Sequence, residues 1–490
     1  MLNFVVSSLK NITTNTFIMV KYATKIGCYV SLLLLITGAL HGQNPSFKKN
    51  AIQPWKNNPR YWQYKGKPVM LLGASNDDNL FQWPSHKLIP HLDSMKRIGA
   101  NYVRNTMSDR RDKGFELYPF EQLEDGLYDL HLWDDEYWKR FEKFLKETKK
   151  RDIIVQIELW DRFDYSQKHW LTHPYNPKNN VNYSYDESGL ANEYPEHAGQ
   201  NRQPFFFTTP KQRNNPWLLP IQKKFIAKVL SYSLSFDHVL YCIDNETSGE
   251  EEWSIFWRDF IVDKAREKGK AICVTEMWDD WNLQADRHRR TLDHPDRFRF
   301  CDVSQNTHQR GDRLWNNLQW ALGYIEAAPR PVNVVKTYGA DGGRHGNTRD
   351  AIERWWLHLL GGVASVRFHR PDSGLGLSAE SIASVRVARI IEQQVPFWEL
   401  HPCNHVLANR SENSAYLTAT PGKIYVAFLP KGGSVRLDLD GTSTYSVRWL
   451  NVRQGEWHEA APQEVVITSA MPLQAPGNDE WVLIATKKSL

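Results

Sequence analysis

The chain has little cysteine, almost no excess of charge and no long unbroken hydrophobic run, and each shortage removes a class of protein. Five cysteines occur in 490 residues. None stands in a CxxC pair or at Cys/His ligand spacing, so no structural zinc is expected. Cys242 and Cys273 fall inside apolar runs and read as small buried hydrophobes. The formal charge of +5 is too small over this length to point to nucleic acid. No Gly-rich phosphate loop is present, and no redox or organic cofactor is implied. The most apolar run, Ile26 to Leu40, is too short to span a bilayer comfortably. Lys21 and Lys25 precede it and His41-Gly42-Gln43 follow, so it reads as the core of a secretory signal peptide begun at Met19. Residues 1–42 are therefore expected to be removed, leaving an exported protein without membrane insertion. No cysteine follows closely enough for a lipid anchor.

What is plentiful is aromatic: 20 Trp, 20 Tyr and 21 Phe. Flat rings are core material, and they are also the faces on which sugar rings stack through their C–H groups. Around them, short apolar runs alternate with amphipathic segments. The runs are Pro68–Leu72, Tyr102–Thr106, Ile153–Ile157, Val239–Asn245, Ala271–Thr275, Cys301–Ser304, Pro331–Val335 and Ala364–Phe368. Runs of this length bounded by polar residues read as strands buried on both faces. Eight βα units predict a (β/α)8 TIM barrel over 43–397; a doubly wound open sheet lacks its phosphate loop here. The third unit carries a long polar and aromatic insertion, Asp164 to Pro216, expected either to order over the barrel mouth and shape a cleft or to pack on the rim. From 398 to 490 the period changes to two, with Gly/Pro/Asn turns between runs, which predicts a small antiparallel β-sandwich. No Ser/Pro-rich linker precedes it, so docking on the barrel is expected.

In a barrel of this kind chemistry gathers where strands end. Those ends supply Asp77, Asp78, Arg104, Glu158, Trp160, Asp161, Asp244, Asn245, Glu246, Glu276, Trp278, His308, Lys336, Tyr338, Arg367 and His369. Carboxylates interleaved with Trp, Tyr and His on one face suit glycosidic bond cleavage, which needs a proton donor and a second carboxylate. Glu246 is the expected acid/base, with Trp160 and Trp278 as stacking platforms. The same Asp-Asn-Glu run also suits a plain helix N-cap followed by an acidic first turn.

Asn245-Glu246 at the end of the fourth strand resembles the acid/base signature of the clan A glycoside hydrolases. That resemblance implies that Asn245 binds a sugar hydroxyl and Glu246 donates the proton. The hairpin before the first strand, Arg330-Pro-Val-Asn-Val-Val335 with Tyr338-Gly, and the segment Ala351–Gly362 resemble the apiosidase-like barrel family. The runs Ile424–Gly433, Val447–Gly455 and Pro476–Leu483 are similar to the sandwich that follows such barrels, a module named for collagen binding. The resemblance implies a bacterial enzyme of the periplasm, cell surface or medium that hydrolyses O-glycosidic bonds of a plant or algal-type polysaccharide or oligosaccharide.

One position departs from the resemblance. The nucleophilic Glu of such barrels ends the seventh strand, and Lys336 stands there. A nearby lysine would also lower the pKa of Glu246 and weaken it as an acid. Three alternatives stay open: Glu276 supplies the second carboxylate, Asp341 reaches back to do so, or the barrel has lost hydrolysis and only binds glycan. Lys336, Arg104, Arg367 and Arg370 suit either an anionic substrate or structural ion pairs inside the barrel. Arg104, Glu158, Trp160, Asp161, Trp278, His308, Lys336, Tyr338 and His369, with Asn245, make up the expected sugar-binding set. Nothing in the sequence fixes the oligomeric state.

Overall fold

A computed structural model describes residues 45–108, 110–408, 410–439, 441–468 and 471–488. The expected signal peptide lies outside these residues. The eight expected strands are present: β1 Leu71–Ala74, β2 Tyr102–Thr106, β3 Ile154–Asp161, β4 Val239–Asn245, β5 Val274–Thr275, β6 Cys301–Asp302, β7 Val332–Thr337 and β8 Ser365–Phe368. All of their residues are buried, as two-sided strands require. Eight helices alternate with them: α1 Ser85–Ile98, α2 Asp135–Lys150, α3 Leu218–Ser233, α4 Glu251–Glu267, α5 Asp286–Leu292, α6 Gly311–Tyr324, α7 Thr348–Leu360 and α8 Ala379–Gln394. In α2 the cause is legible. Asp134 caps the Tyr137 amide, and Tyr137, Trp138, Phe141, Phe144 and Leu145 line one face at helical spacing.

The parallel ladder runs β5-β4-β3-β2 and β6-β7-β8-β1. Side chains and loop amides close the two seams into a barrel. Asn101 N donates to Leu72 O at 2.9 Å and Thr106 N to Asp78 O at 2.6 Å between β1 and β2. Thr275 Oγ1 donates to Phe300 O at 2.7 Å between β5 and β6. At Gly73 a Cβ would lie 2.5 Å from Tyr102 O and 2.9 Å from Arg367 Cβ, so only glycine allows that close approach. An N-terminal hairpin, Asn58–Tyr64 with Lys67–Val69, places Trp62 under the barrel, where its Nε1 donates to Asn333 Oδ1 at 2.9 Å.

The observed strand limits differ from the expected ones where polar residues continue a strand. β3 runs on through Glu158, Trp160 and Asp161, and β7 through Lys336, while β5 and β6 shrink to two residues each. Hydrophobicity marks the apolar middle of a strand, whereas pairing carries its polar end.

The C-terminal region is a β-sandwich. Its large sheet contains, in spatial order, β9 Tyr416–Thr420, β10 Ile424–Leu429, β12 Trp481–Lys487 and β11 Ser443–Asn451. Leu407–Ala408, Ser434–Leu437 and Leu473–Gln474 form a second sheet. The period-two pattern of β10 serves two cores. Tyr425, Ala427 and Leu429 pack between the sheets, and Ile424, Val426 and Phe428 join the core of the barrel. Phe428 stacks on Trp356 of α7 with centroids 5.7 Å apart. Arg349 of α7 and Arg453 converge on Glu480, which is fully buried. This sheet is buried on both faces, which accounts for the docked arrangement.

Candidate active site

Inside the barrel, polar side chains form layers. The lowest joins Tyr102, Gln156, Asp302 and Asn333: Tyr102 Oη donates to Gln156 Oε1 at 2.6 Å, and Gln156 Nε2 donates to Asp302 Oδ2 at 2.8 Å. Above it lies a charge lattice. Arg104 bridges Asp78 at 2.8 Å and Glu158 at 2.6 Å, and Arg367 meets Asp78 at 2.9 Å. Burial alone would raise the pKa of Asp78, but Arg104, His369, Arg367 and Arg370 hold its carboxyl well below the usual range. Burial pushes Glu158 up to about 7, against the pull of Arg104 and Lys336.

At the mouth, the ends of β4 and β7 meet. Lys336, only 1% exposed, donates to Asn245 Oδ1 at 2.5 Å and forms an ion pair with Glu246 Oε1. Tyr338 Oη donates to the same carboxylate oxygen at 2.7 Å. Among the described residues no donor is placed on Oε2, and the Glu246 side chain keeps 14% of its surface open. Its backbone is left-handed, with φ of +47°. A non-glycine residue held there costs about 1–3 kcal/mol, and such strain gathers at functional sites. Desolvation works to raise the Glu246 pKa, but the Lys336 ammonium and the hydrogen bonds from Lys336 and Tyr338 hold it far below the usual carboxylate range. The clamp thus favours the charged form of Glu246, whereas a proton donor needs the neutral one.

Around Tyr338 stand three imidazoles: His345, His369 and His308, with ring centroids 4.4, 5.0 and 5.3 Å away. Burial, then Arg344, lowers the His308 pKa to about 4, so it faces the site neutral. Asn245, Glu246, His308, Lys336, Tyr338 and His369 are thus brought together as expected. Arg104 and Glu158 lie beneath them. Asp161 stands aside, accepting from Arg110 Nη2 at 2.6 Å.

Glu276 is placed elsewhere. It is fully buried and accepts from Ser254 Oγ of α4 at 2.6 Å and from the amides of Asp244 and Met277, both at 3.0 Å. Burial and the neighbouring Asp244 charge push its pKa well up. A carboxyl closed in by these partners presents nothing to a sugar. Asp341 does not reach back either; it is exposed and caps its own turn through the amides of Gly343 and His345.

Both expected platforms are core residues. Trp160, 1% exposed, packs on Phe225 of α3 and on Trp253 and Trp257 of α4. Trp278 is equally buried, its Nε1 donating to Thr291 Oγ1 at 2.7 Å. Their rings fill the gap between strands and helices, which hydrophobicity favours over the wet mouth. The insertion behaves likewise. Tyr165, Trp170, Tyr175, Tyr183, Phe205 and Phe206 are buried, so its aromatics are a small core on the rim. Its segment around Gly199 reaches the β4 end, where Ser248 Oγ donates to Gly199 O at 2.6 Å.

Two participants escaped the sequence reading. Arg162, fully buried, donates from Nε to Thr247 Oγ1 at 2.9 Å and supplies positive charge beside Asp244, Glu276 and Asp279. The other is Asp279, the carboxylate beyond β5 that feels the charge of Glu246. The spacing Glu276-Met-Trp-Asp279 held that signal, but nothing in it says which of the two acids turns to the mouth. Among the described residues no group of three or more His, Cys, Asp or Glu is arranged to hold a metal ion. No described helix is long and apolar enough to cross a membrane. Cys242, Cys273, Cys301 and Cys403 are free and buried, the first two as expected.

Residues 402–486 match a family model described as "Putative collagen-binding domain of a collagenase". No curated protein matches the chain in sequence. Among solved structures the chain is similar to a glycoside hydrolase family 5 protein from Bacteroides vulgatus ATCC 8482. The two are 12% identical with a TM-score of 0.58, over 89% of this chain and 94% of that one. A structure described as a glycoside hydrolase is 10% identical with a TM-score of 0.58, over 91% of this chain and 99% of that one. At these identities the shared property is the fold, barrel and sandwich together.

Proposed function

We propose that the protein is a glycoside hydrolase acting at the mouth of the barrel, with Glu246 as the ionised carboxylate that faces the anomeric carbon. The observation that carries this reading is the Lys336–Glu246–Tyr338 clamp. It gathers on a strained residue at the end of β4, with one carboxylate oxygen left for a substrate. Fixed donors of this kind keep a carboxylate charged and aimed, at little reorganisation cost during reaction. Asn245, His308, His369 and Tyr338 border the same space and suit hydrogen bonding and stacking with a sugar.

The substrate in this reading is a polysaccharide or oligosaccharide of plant or algal type, and neutral where it meets the clamp. Lys336, Arg104, Arg367 and Arg370 each already face a carboxylate, which supports a neutral glycan over a uronic or sulfated one. Assays on neutral, uronic and sulfated oligosaccharides at several salt concentrations separate these; turnover confined to the anionic set contradicts the neutral assignment. We further propose export through residues 1–42, checked by finding Gln43 as the N-terminus of the mature protein by mass spectrometry.

A second reading, a glycan-binding barrel without turnover, draws on Lys336 standing where the resemblance implies a carboxylate. Glu246→Gln distinguishes the two. The hydrolase loses turnover on the order of 10³-fold or more while keeping glycan affinity. A wild type that binds glycans and hydrolyses none supports the binder.

A further inference from the structure

β4 and β5 pair again beyond their last strand residues, Asn245 and Thr275. Thr247 and Trp278 form a parallel bridge. Thr247 N donates to Met277 O and Asp279 N to Thr247 O, both at 2.8 Å. Glu246 stands one residue before that bridge and Asp279 one residue after it. Where Glu276 is closed in by three donors, Asp279 is only half-buried, and among the described residues no donor is placed on its carboxylate. The insertion roofs it. A Cβ at position 199 would lie 3.2 Å from Asp279 Oδ2, so glycine there leaves the carboxyl its room.

We propose that Asp279 is the second catalytic carboxylate, the group that protonates the leaving oxygen; this rests on the hydrolase reading. The charged and titratable groups facing it are Glu246, Lys336, Arg287, His197 and Arg162. Burial and then the Glu246 charge raise its pKa, against Lys336 and Arg287. Two acids whose surroundings push them in opposite directions can divide the labour of glycoside cleavage.

The step balances as a double displacement. Asp279 gives its proton to the glycosidic oxygen as the bond from that oxygen to the anomeric carbon breaks, and the bonding pair leaves with the alcohol. Glu246 Oε2 forms the new bond to the anomeric carbon. The Asp279 carboxylate then takes a proton from water, the water oxygen bonds to the anomeric carbon, and the pair in the glycosyl ester returns to Glu246. One water is consumed and the anomeric configuration is retained.

The test compares Asp279→Asn with wild type on dinitrophenyl and methyl glycosides of the same common hexoses and pentoses, with and without azide. Dinitrophenolate leaves without a proton, and methanol does not. We expect methyl glycoside hydrolysis to fall on the order of 100-fold or more. Glycosyl-enzyme formation from dinitrophenyl glycosides should stay within about tenfold, with azide restoring turnover as a glycosyl azide of retained configuration. Equal loss on both leaving groups, or no loss on either, overturns the assignment and leaves the hydrolase reading standing. A wild type inert on both sets overturns the hydrolase reading, and this one with it. Should Asp279→Asn fail to fold, Asp279→Ser is read by the same leaving-group ratio.

Discussion

Glu246 and Glu276 end neighbouring strands, yet their surroundings drive them in opposite directions. At the end of β4, an ammonium and a phenol close on one oxygen of Glu246 and leave the other toward the cleft, so the carboxyl stays charged. At the end of β5, Glu276 is sealed against α4 beside Asp244, and burial pushes its pKa up. The residue type is the same and the strands are adjacent. What differs is whether a cation or another acid is the nearest charge, and whether a face is left to solvent. Position on the barrel therefore does not assign a role; the local charge partner does.

The largest expected effect comes from erasing the cause of that difference. Lys336→Met removes the ammonium, so the Glu246 pKa rises toward the ordinary range. We expect kcat/KM to fall on the order of 100-fold, with the acidic limb of its pH profile moving to higher pH. An unchanged acidic limb contradicts the clamp.

A smaller effect is expected in stability. Glu246→Gln leaves a buried ammonium without its anion and should cost about 3–5 kcal/mol. The Lys336→Met/Glu246→Gln double variant should recover most of that loss, as urea unfolding of the four proteins would measure. Additive single losses would mean that the pair is not coupled.

The two acids also predict opposite pH signs. The depressed Glu246 contributes stability that is present above its unfolded pKa, about 4, and is lost as pH falls toward its folded value. The raised Glu276 contributes stability that is present below about pH 4 and is lost as pH rises toward its folded value. Glu276→Gln should therefore match or exceed wild type in stability at pH 7, with the gap in Tm widening as pH rises. A gap that narrows with pH reverses the assignment. The smallest effect is on turnover, where Glu276→Gln should stay within about threefold of wild type, because an amide replaces a carboxyl among the same enclosing partners.

The barrel was legible because strands buried on both faces leave apolar runs, and a regular βα alternation over eight units has one closed solution. The sandwich was legible from period two, although the sequence did not show that β10 serves two cores at once. Glu246, Asn245, Lys336 and Tyr338 were legible as a group because strand ends converge at one mouth. The rest depended on direction. Trp160 and Trp278 carry the right chemistry for sugar stacking, but they turn toward helices. Glu276 and Asp279 lie three residues apart on one strand end, and only the Thr247–Trp278 bridge and the Ser254 contact show which is closed in. The low pKa of Glu246 was foreshadowed by Lys336, whereas its hydrogen bond from Tyr338 and its left-handed backbone required coordinates.

The most direct measurement is a side-chain carboxyl NMR titration of glutamate-labelled protein, with Glu246 identified by loss of its signal in Glu246→Gln. The account predicts that the Glu246 signal stays at its ionised position from neutral pH down past about pH 4, and that Lys336→Met restores an ordinary titration there. A Glu246 that takes up its proton above about pH 5 in the wild type would contradict the clamp and return it to the role of proton donor.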